Sequence, residues 1–148
     1  MADLDNEILE MAAAREVDAN RFFLALAERV KEPKTKKIFR ILAAEELEHK
    51  VLIELEIMKT GRVVKKNSNP PGFRDEKPDY MPPKVEMTYK DILQMGLQKE
   101  EASIRLYTEL AAMTTDAHSR EVLLALAQEE AGHKQRFRKA LDFLTHIA

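Results

Sequence analysis

The sequence predicts an all-α protein, a bundle of four helices built from two helical hairpins. Three observations carry that expectation. Apolar residues recur at spacings of three and four through both halves of the chain, the period of a single helix face. Of the 148 residues only 4 are Gly and 6 are Pro, with five of the prolines confined to one stretch, so little interrupts the helices. Finally, the chain repeats itself. Shifted by 84 positions, Glu7 to Leu52 aligns with the second half without a gap, and the 46 aligned positions hold 13 identities, where chance gives about 3. Ile8-Leu9 meets Ile92-Leu93, Leu42-Ala43 meets Leu126-Ala127, and Glu45-Glu46 meets Glu129-Glu130.

The first hairpin is expected over about residues 4–60. In its first helix Leu9, Ala12, Glu16, Ala19, Phe23, Leu26 and Val30 share one face. Pro33 is tolerated in the first turn of a helix, which places the reversal around Val30 to Pro33. The second helix puts Leu42, Glu46, His49 and Ile53 on one stripe and is expected to stop near Gly61, a residue suited to a helix end. Residues 61–87 hold Pro70, Pro71, Pro78, Pro82 and Pro83 and read as an extended crossover. Its 27 residues can reach about 90 Å, beyond the roughly 40 Å length of a helix of that size. The second hairpin can therefore begin from the other end of the bundle. It is expected over about 88–146, with Thr88 and Asp91 as a helix-start cap. Leu93, Gly96, Glu100, Ser103, Tyr107 and Leu110 line its first helix, Met113 to Asp116 form the turn, and Leu126, Glu130, His133 and Phe137 line the last helix. Met11, Met58, Met95 and Met113 are expected to fill the core. Residues 1–148 are read as one domain, long enough to bury a core.

Bulk composition excludes several function classes. With 45% hydrophobic and 34% charged residues and a net charge of -2, no overall field draws a polyanion. Lys31, Lys34, Lys36 and Lys37 cluster at the first turn, where they solvate the chain and complement a helix end. There are 0 Cys residues, which removes disulfides, thiolate metal sites, iron–sulfur clusters and cysteine nucleophiles together. The opening Met-Ala-Asp-Leu-Asp lacks the basic-then-apolar pattern of a secretory signal. No apolar run approaches the roughly 18 residues that span a bilayer. A cytoplasmic protein without nucleic-acid or membrane partners is expected.

Six charged or polar residues interrupt the apolar seams: Glu16, Glu46, His49, Glu100, Glu130 and His133. A buried carboxylate without a partner costs several kcal/mol, and four facing one another also repel. Arg15 and Lys99 precede seam glutamates by one residue and are expected to point about 100° away from the seam. Glu16 and Glu46 lie equally far from position 31, in the first turn, and Glu100 and Glu130 equally far from position 115, in the second. Each antiparallel hairpin thus brings two Glu and one His to one level, with Glu46/His49 and Glu130/His133 as i, i+3 pairs. One Glu from each of two helices, plus Glu-x-x-His from the other two, is the donor pattern of di-iron and dimanganese carboxylate bundles. Oxygen and imidazole donors without sulfur suit iron or manganese. Two iron ions are the expected cofactor, with manganese or zinc possible. Glu45 and Glu129 sit one position off the stripe and are expected beside the donors or at the surface. His118, in a turn, and His146, in the tail, are expected to be solvated. The competing reading is a metal-free bundle whose seam charges are solvated at an interface.

These residues resemble the rubrerythrin branch of the ferritin-like superfamily. Its hallmark is a seam Glu seven residues before an aromatic, then Glu-x-x-His in the next helix. Here that is Glu16 with Phe23 and E-E-L-E-H from Glu45 to His49, then Glu100 with Tyr107 and E-E-A-G-H from Glu129 to His133. The resemblance covers nearly all of the chain outside the crossover. It implies a ferritin-like four-helix bundle, a non-haem di-iron centre, a cytoplasmic homodimer and reduction of hydrogen peroxide. Without Cys this sequence holds no rubredoxin-like domain, so electrons are expected from an external donor such as a rubredoxin-like protein. The family's extra carboxylate, one turn after the third-helix Glu, is replaced by Ser103. Tyr107 is expected beside the site, its phenol within reach of a ligand carboxylate, whereas Phe23 offers no such group. A ferroxidase feeding iron storage and a non-catalytic, metal-stabilised helical module are the alternative functions.

Overall fold

The computed structural model describes residues 2–59 and 88–147, helical throughout apart from the turns and without a strand among them. Helices α1 (Ala2–Arg29), α2 (Pro33–Met58), α3 (Tyr89–Met113) and α4 (Ala117–Ile147) follow in order. The expected crossover and the expected helix stop at Gly61 lie outside the described residues.

The starts of α2, α3 and α4 each have a local cause. Pro33 opens α2, and the carboxylate of Glu32 accepts from the backbone N–H groups of Lys34 and Thr35, each at 3.2 Å, satisfying donors that the first turn leaves over. At α3 the expected cap forms: Asp91 N–H donates to Thr88 Oγ1 at 3.1 Å and Thr88 N–H to Asp91 Oδ2 at 3.1 Å. Asp116 accepts from Ser119 N–H at 2.8 Å to start α4. Arg120 donates to the Thr114 carbonyl at 2.6 Å just past the end of α3. Asp5, early in α1, accepts from Thr115 N–H at 2.8 Å and from its hydroxyl at 2.6 Å, tying this turn to the far hairpin.

Two apolar clusters fix the topology. One joins Ile8 and Leu9 of early α1 to Ile53 and Ile57 of late α2, Leu106 and Leu110 of late α3 and Leu123 of early α4. The other joins Phe23 and Leu26 of late α1 to Phe39 of early α2, Ile92 and Leu93 of early α3 and Phe137 of α4. Helices α1 and α3 are therefore antiparallel, and α2 ends at the opposite end of the bundle from where α3 begins. A long connection between the hairpins is what this arrangement demands, and it defines the ferritin-like form of the four-helix bundle. Every stripe residue named above is buried except Ser103, which is half-buried.

In the second cluster Phe23, Phe39 and Phe137 stack in pairs, with ring centroids 6.3, 6.2 and 6.0 Å apart. Gly96 makes room for this stack: a Cβ there would lie 2.5 Å from a ring carbon of Phe137. The methionines divide. Met11 and Met95 are buried and Met113 packs against the first cluster, but Met58 is 49% exposed. It is not core filler, because α2 carries apolar residues around its circumference and buries only one side. Ile41, Val51 and Leu55 are exposed on the same helix. Among the described residues no helix is long and apolar enough to cross a membrane.

Candidate metal centre

Between the two apolar clusters lies a polar layer to which every helix contributes. Glu16 comes from α1, Glu46 and His49 from α2, Glu100 from α3, and Glu130 and His133 from α4. All six are buried, and none is more than 6% exposed. The structure brings all six together in two overlapping groups, Glu16–Glu46–His49–Glu130 and Glu46–Glu100–Glu130–His133, whose donor atoms lie within 4.8 Å of one another. Glu46 and Glu130 belong to both. His49 Nδ1 is 3.2 Å from Glu130 and 3.5 Å from Glu16, while His133 Nδ1 is 3.6 Å from Glu100 and 3.7 Å from Glu46. The two imidazoles stack with centroids 6.5 Å apart and planes 12° from parallel.

These residues fit a pair of divalent ions. Nine buried atoms of the six lack a hydrogen-bond partner: both oxygens of Glu16, Glu100 and Glu130, Oε1 of Glu46, and Nδ1 of each histidine. Buried polar atoms are ordinarily paired, since leaving one unpaired costs on the order of 1–3 kcal/mol. Four carboxylates and two imidazoles also supply the charge and the donor types that iron or manganese takes.

Crowding sets the proton affinities in the same direction. Burial raises the Glu16 carboxyl, and it raises Glu46 far further with Glu16 and Glu130 alongside. Burial together with Glu130 raises Glu100 well above the carboxylate range. For Glu130, burial opposes ionisation, but the closeness of the Glu100 carboxyl and the His49 imidazole overcomes it and pulls the group down to about 2. Burial likewise disfavours the His49 cation, yet Glu130 and Glu16 outweigh it and lift the imidazole to about 11.

Outside the six, the structure refines some sequence expectations and corrects others. Glu129 Oε2 lies 2.5 Å from His49 Nε2, and Glu45 Oε2 lies 2.6 Å from His133 Nε2. Both carboxylates thus stand beside the donor histidines, each reaching the histidine of the other hairpin; their recurrence in the repeat was the available signal. Lys99 does leave the seam, and it is only 2% exposed. Its face of α3 packs toward α1, with the ammonium 6.0 Å from the Phe22 ring centroid, and burial with Arg15 nearby lowers its pKa to about 8. His118 is exposed, as expected, with its Nδ1 also 2.8 Å from Glu56 Oε2 at the end of α2. His146 is exposed beside the Asp142 carbonyl. Tyr107 is 2% exposed in the apolar cluster with Leu106 and Leu110. An open cleft of about 440 Å³ between α2 and α4 has His49 and His133 in its lining, with Glu45, Glu48, Glu129 and Gly132 around them.

Comparison with known proteins gives three results. The family profile described as Rubrerythrin matches residues 7–141. A hypothetical protein from Pyrococcus furiosus superposes with a TM-score of 0.69 and 25% identity, over 99% of this chain and 94% of that one. A manganese catalase from Anabaena PCC7120 superposes with a TM-score of 0.72 and 19% identity, over 97% of this chain and 73% of that one, a likeness of fold. No curated protein matches the sequence.

Proposed function

This chain belongs to the rubrerythrin family, and we propose that it is a non-haem di-iron oxidoreductase that reduces hydrogen peroxide. The observation that carries the reading is the set of nine buried, unpartnered donor atoms where the four helices meet. Glu16, Glu46, His49, Glu100, Glu130 and His133 would hold two iron ions, and the same donors accept manganese or zinc. The Anabaena protein of like fold is named a manganese catalase, which accords with redox chemistry on this scaffold. Electrons come from an external donor such as a rubredoxin-like protein, and the working form is a cytoplasmic homodimer.

Bound there, two ferrous ions would supply the two electrons that, with two protons, take hydrogen peroxide to two waters. The chain's own residues do the rest. Glu46 and Glu130 belong to both donor groups and would be shared by the two ions, while Glu16 with His49 and Glu100 with His133 would complete one group each. The apolar clusters on either side keep bulk water away and strengthen every charge interaction inside. The cleft between α2 and α4 gives a small oxidant its approach. Tyr107, seven residues beyond Glu100 on α3, is proposed to support that carboxylate. A ferroxidase is the second reading, favoured by Ser103 standing where the family's extra carboxylate would be: the donor set is then six and nearly symmetric.

The test is elemental analysis of protein purified without chelator, followed by anaerobic reduction and one equivalent of peroxide. About two iron atoms per chain are expected, lost together in Glu46→Ala or His133→Ala, with both oxidised by one peroxide. Failure to bind iron after anaerobic ferrous loading would overturn the reading. Bound iron whose visible spectrum ignores peroxide and dioxygen would leave only the metal-stabilised module.

A further inference from the structure

Helices α2 and α4 approach one another at few places along their length, and the space between them forms a groove on this side of the bundle. Its first stretch is the cleft of about 440 Å³ with His49 and His133 in its lining. A second stretch of about 350 Å³ continues toward the end of α2, lined by Leu55 of α2 and by Val122, Ala125 and Leu126 of α4. Leu52 and Glu129 belong to both linings, so the two stretches join. One end of the groove is therefore polar and reaches the donor layer, while the other is mostly apolar.

Three observations bear on what such a groove takes. Hydrogen peroxide has the bulk of two water molecules, roughly 60 Å³, and fills a small part of the first stretch alone. Leu52 and Leu55 are 51% and 54% exposed, apolar surface suited to a ligand with an apolar part. Gly132 lines the cleft beside the histidines, and an added Cβ there would meet nothing within 4 Å. Glycine is a poor helix former, and the repeat mate of Gly132 is Glu48. No close neighbour demands a glycine here, so what it contributes is open space next to the donor layer. From His49 to Glu56, α2 advances seven residues, about 10 Å, the reach of a medium-length alkyl chain.

We infer that the substrates of this site are alkyl hydroperoxides, with the hydroperoxy group at the histidine end of the groove and the alkyl chain along Leu52, Leu55 and Leu126. This deepens the proposed function and rests on it. The O–O bond breaks, two electrons enter from the ferrous pair and two protons from solvent, and one alcohol and one water leave. The external donor then restores the two electrons.

The experiment has two parts, both on the full chain. First, methyl-labelled protein without metal is titrated with 1-butanol, 1-hexanol and 1-octanol, the alcohol products of the matching hydroperoxides, and followed by NMR. The Leu52, Leu55, Val122 and Leu126 methyls are expected to shift together, with affinity rising about two- to fourfold for each added CH₂. Leu24 and Leu124, exposed but outside this lining, are expected to stay in place. Second, ferrous-loaded protein is mixed with octyl hydroperoxide or hydrogen peroxide, and the rate constant of oxidation is read by stopped-flow absorbance. Wild type is expected to react with octyl hydroperoxide at least as fast as with hydrogen peroxide. Leu55→Lys, at an exposed position, and Gly132→Leu should each lower the ratio of the two rate constants roughly tenfold. Groove methyls that do not respond to octanol, or that shift no more than Leu24 and Leu124, would mean that protein fills the groove and would overturn the inference. A ratio unmoved by both variants, or oxidation by hydrogen peroxide alone, would overturn it while leaving the proposed function standing. Iron inert to both oxidants would remove the proposed function and this inference together.

Discussion

Glu46 and Glu130 show at single-residue scale how burial and company divide identical side chains. Both are nearly inaccessible, yet Glu46 is driven to hold its proton and Glu130 to release it, because one ionised carboxylate can be stabilised by protonated neighbours where two cannot. The consequence for stability follows from sign. Glu16, Glu46 and Glu100 have pKa values raised above their ordinary 4.5. They bind more protons folded than unfolded once the pH passes that value, so their contribution declines as pH rises. His49 adds to this: its stabilisation is whole below 6.5 and fades as the pH climbs toward its folded value of about 11. Glu130 acts oppositely, contributing above 4.5 and losing that as the pH falls toward about 2, a range far below neutrality. The metal-free protein is thus expected to melt at lower temperature at pH 8 than at pH 6, and saturating Mn(II) should reverse the order. Calorimetric melting at the two pH values checks this; a metal-free Tm that rises with pH would contradict the assignment.

At the scale of one helix, α3 shows how neighbours override local preference. Alanine is a better helix former than glycine by about 1 kcal/mol, so Gly96 looks costly in the middle of α3. Its repeat mate is Ala12, and the repeat mate of Phe137 is Ile53, which carries no ring. Phe137 is held in the stack with Phe23 and Phe39, and a Cβ at position 96 would sit only 2.5 Å from its ring. Overpacking of this kind costs about 1–3 kcal/mol. Gly96→Ala is therefore expected to destabilise the protein by up to about 2 kcal/mol in urea unfolding, despite its better propensity; a higher midpoint would mean the stack can shift. The same helix buries Lys99 beside the donor layer, a position that periodicity assigns to a flank. A flank becomes interior when a third helix lies against it.

Across the whole molecule, the charged layer is tolerated because it is closed above and below by apolar clusters drawn from all four helices. Association is the prediction at this scale. Size-exclusion with light scattering should give about twice the 17.0 kDa of the chain, as the proposed homodimer requires, whereas a particle near 24 subunits would favour iron storage. The helices, the repeat, and the meeting of Glu16, Glu46, His49, Glu100, Glu130 and His133 at one level were all legible in the chain. Those features depend on i, i+3 and i, i+4 spacing and on equal distances from a turn, which are properties of the sequence itself. The structure alone decided that Glu45 meets His133 rather than a residue of its own hairpin, that His118 is held by Glu56, and that Met58 stays exposed. Spacing fixes the angle of a side chain on its own helix. What that side chain touches depends on how close, and at what offset, the neighbouring helices pack, and in a bundle that is settled by the joint filling of a core to which every helix contributes.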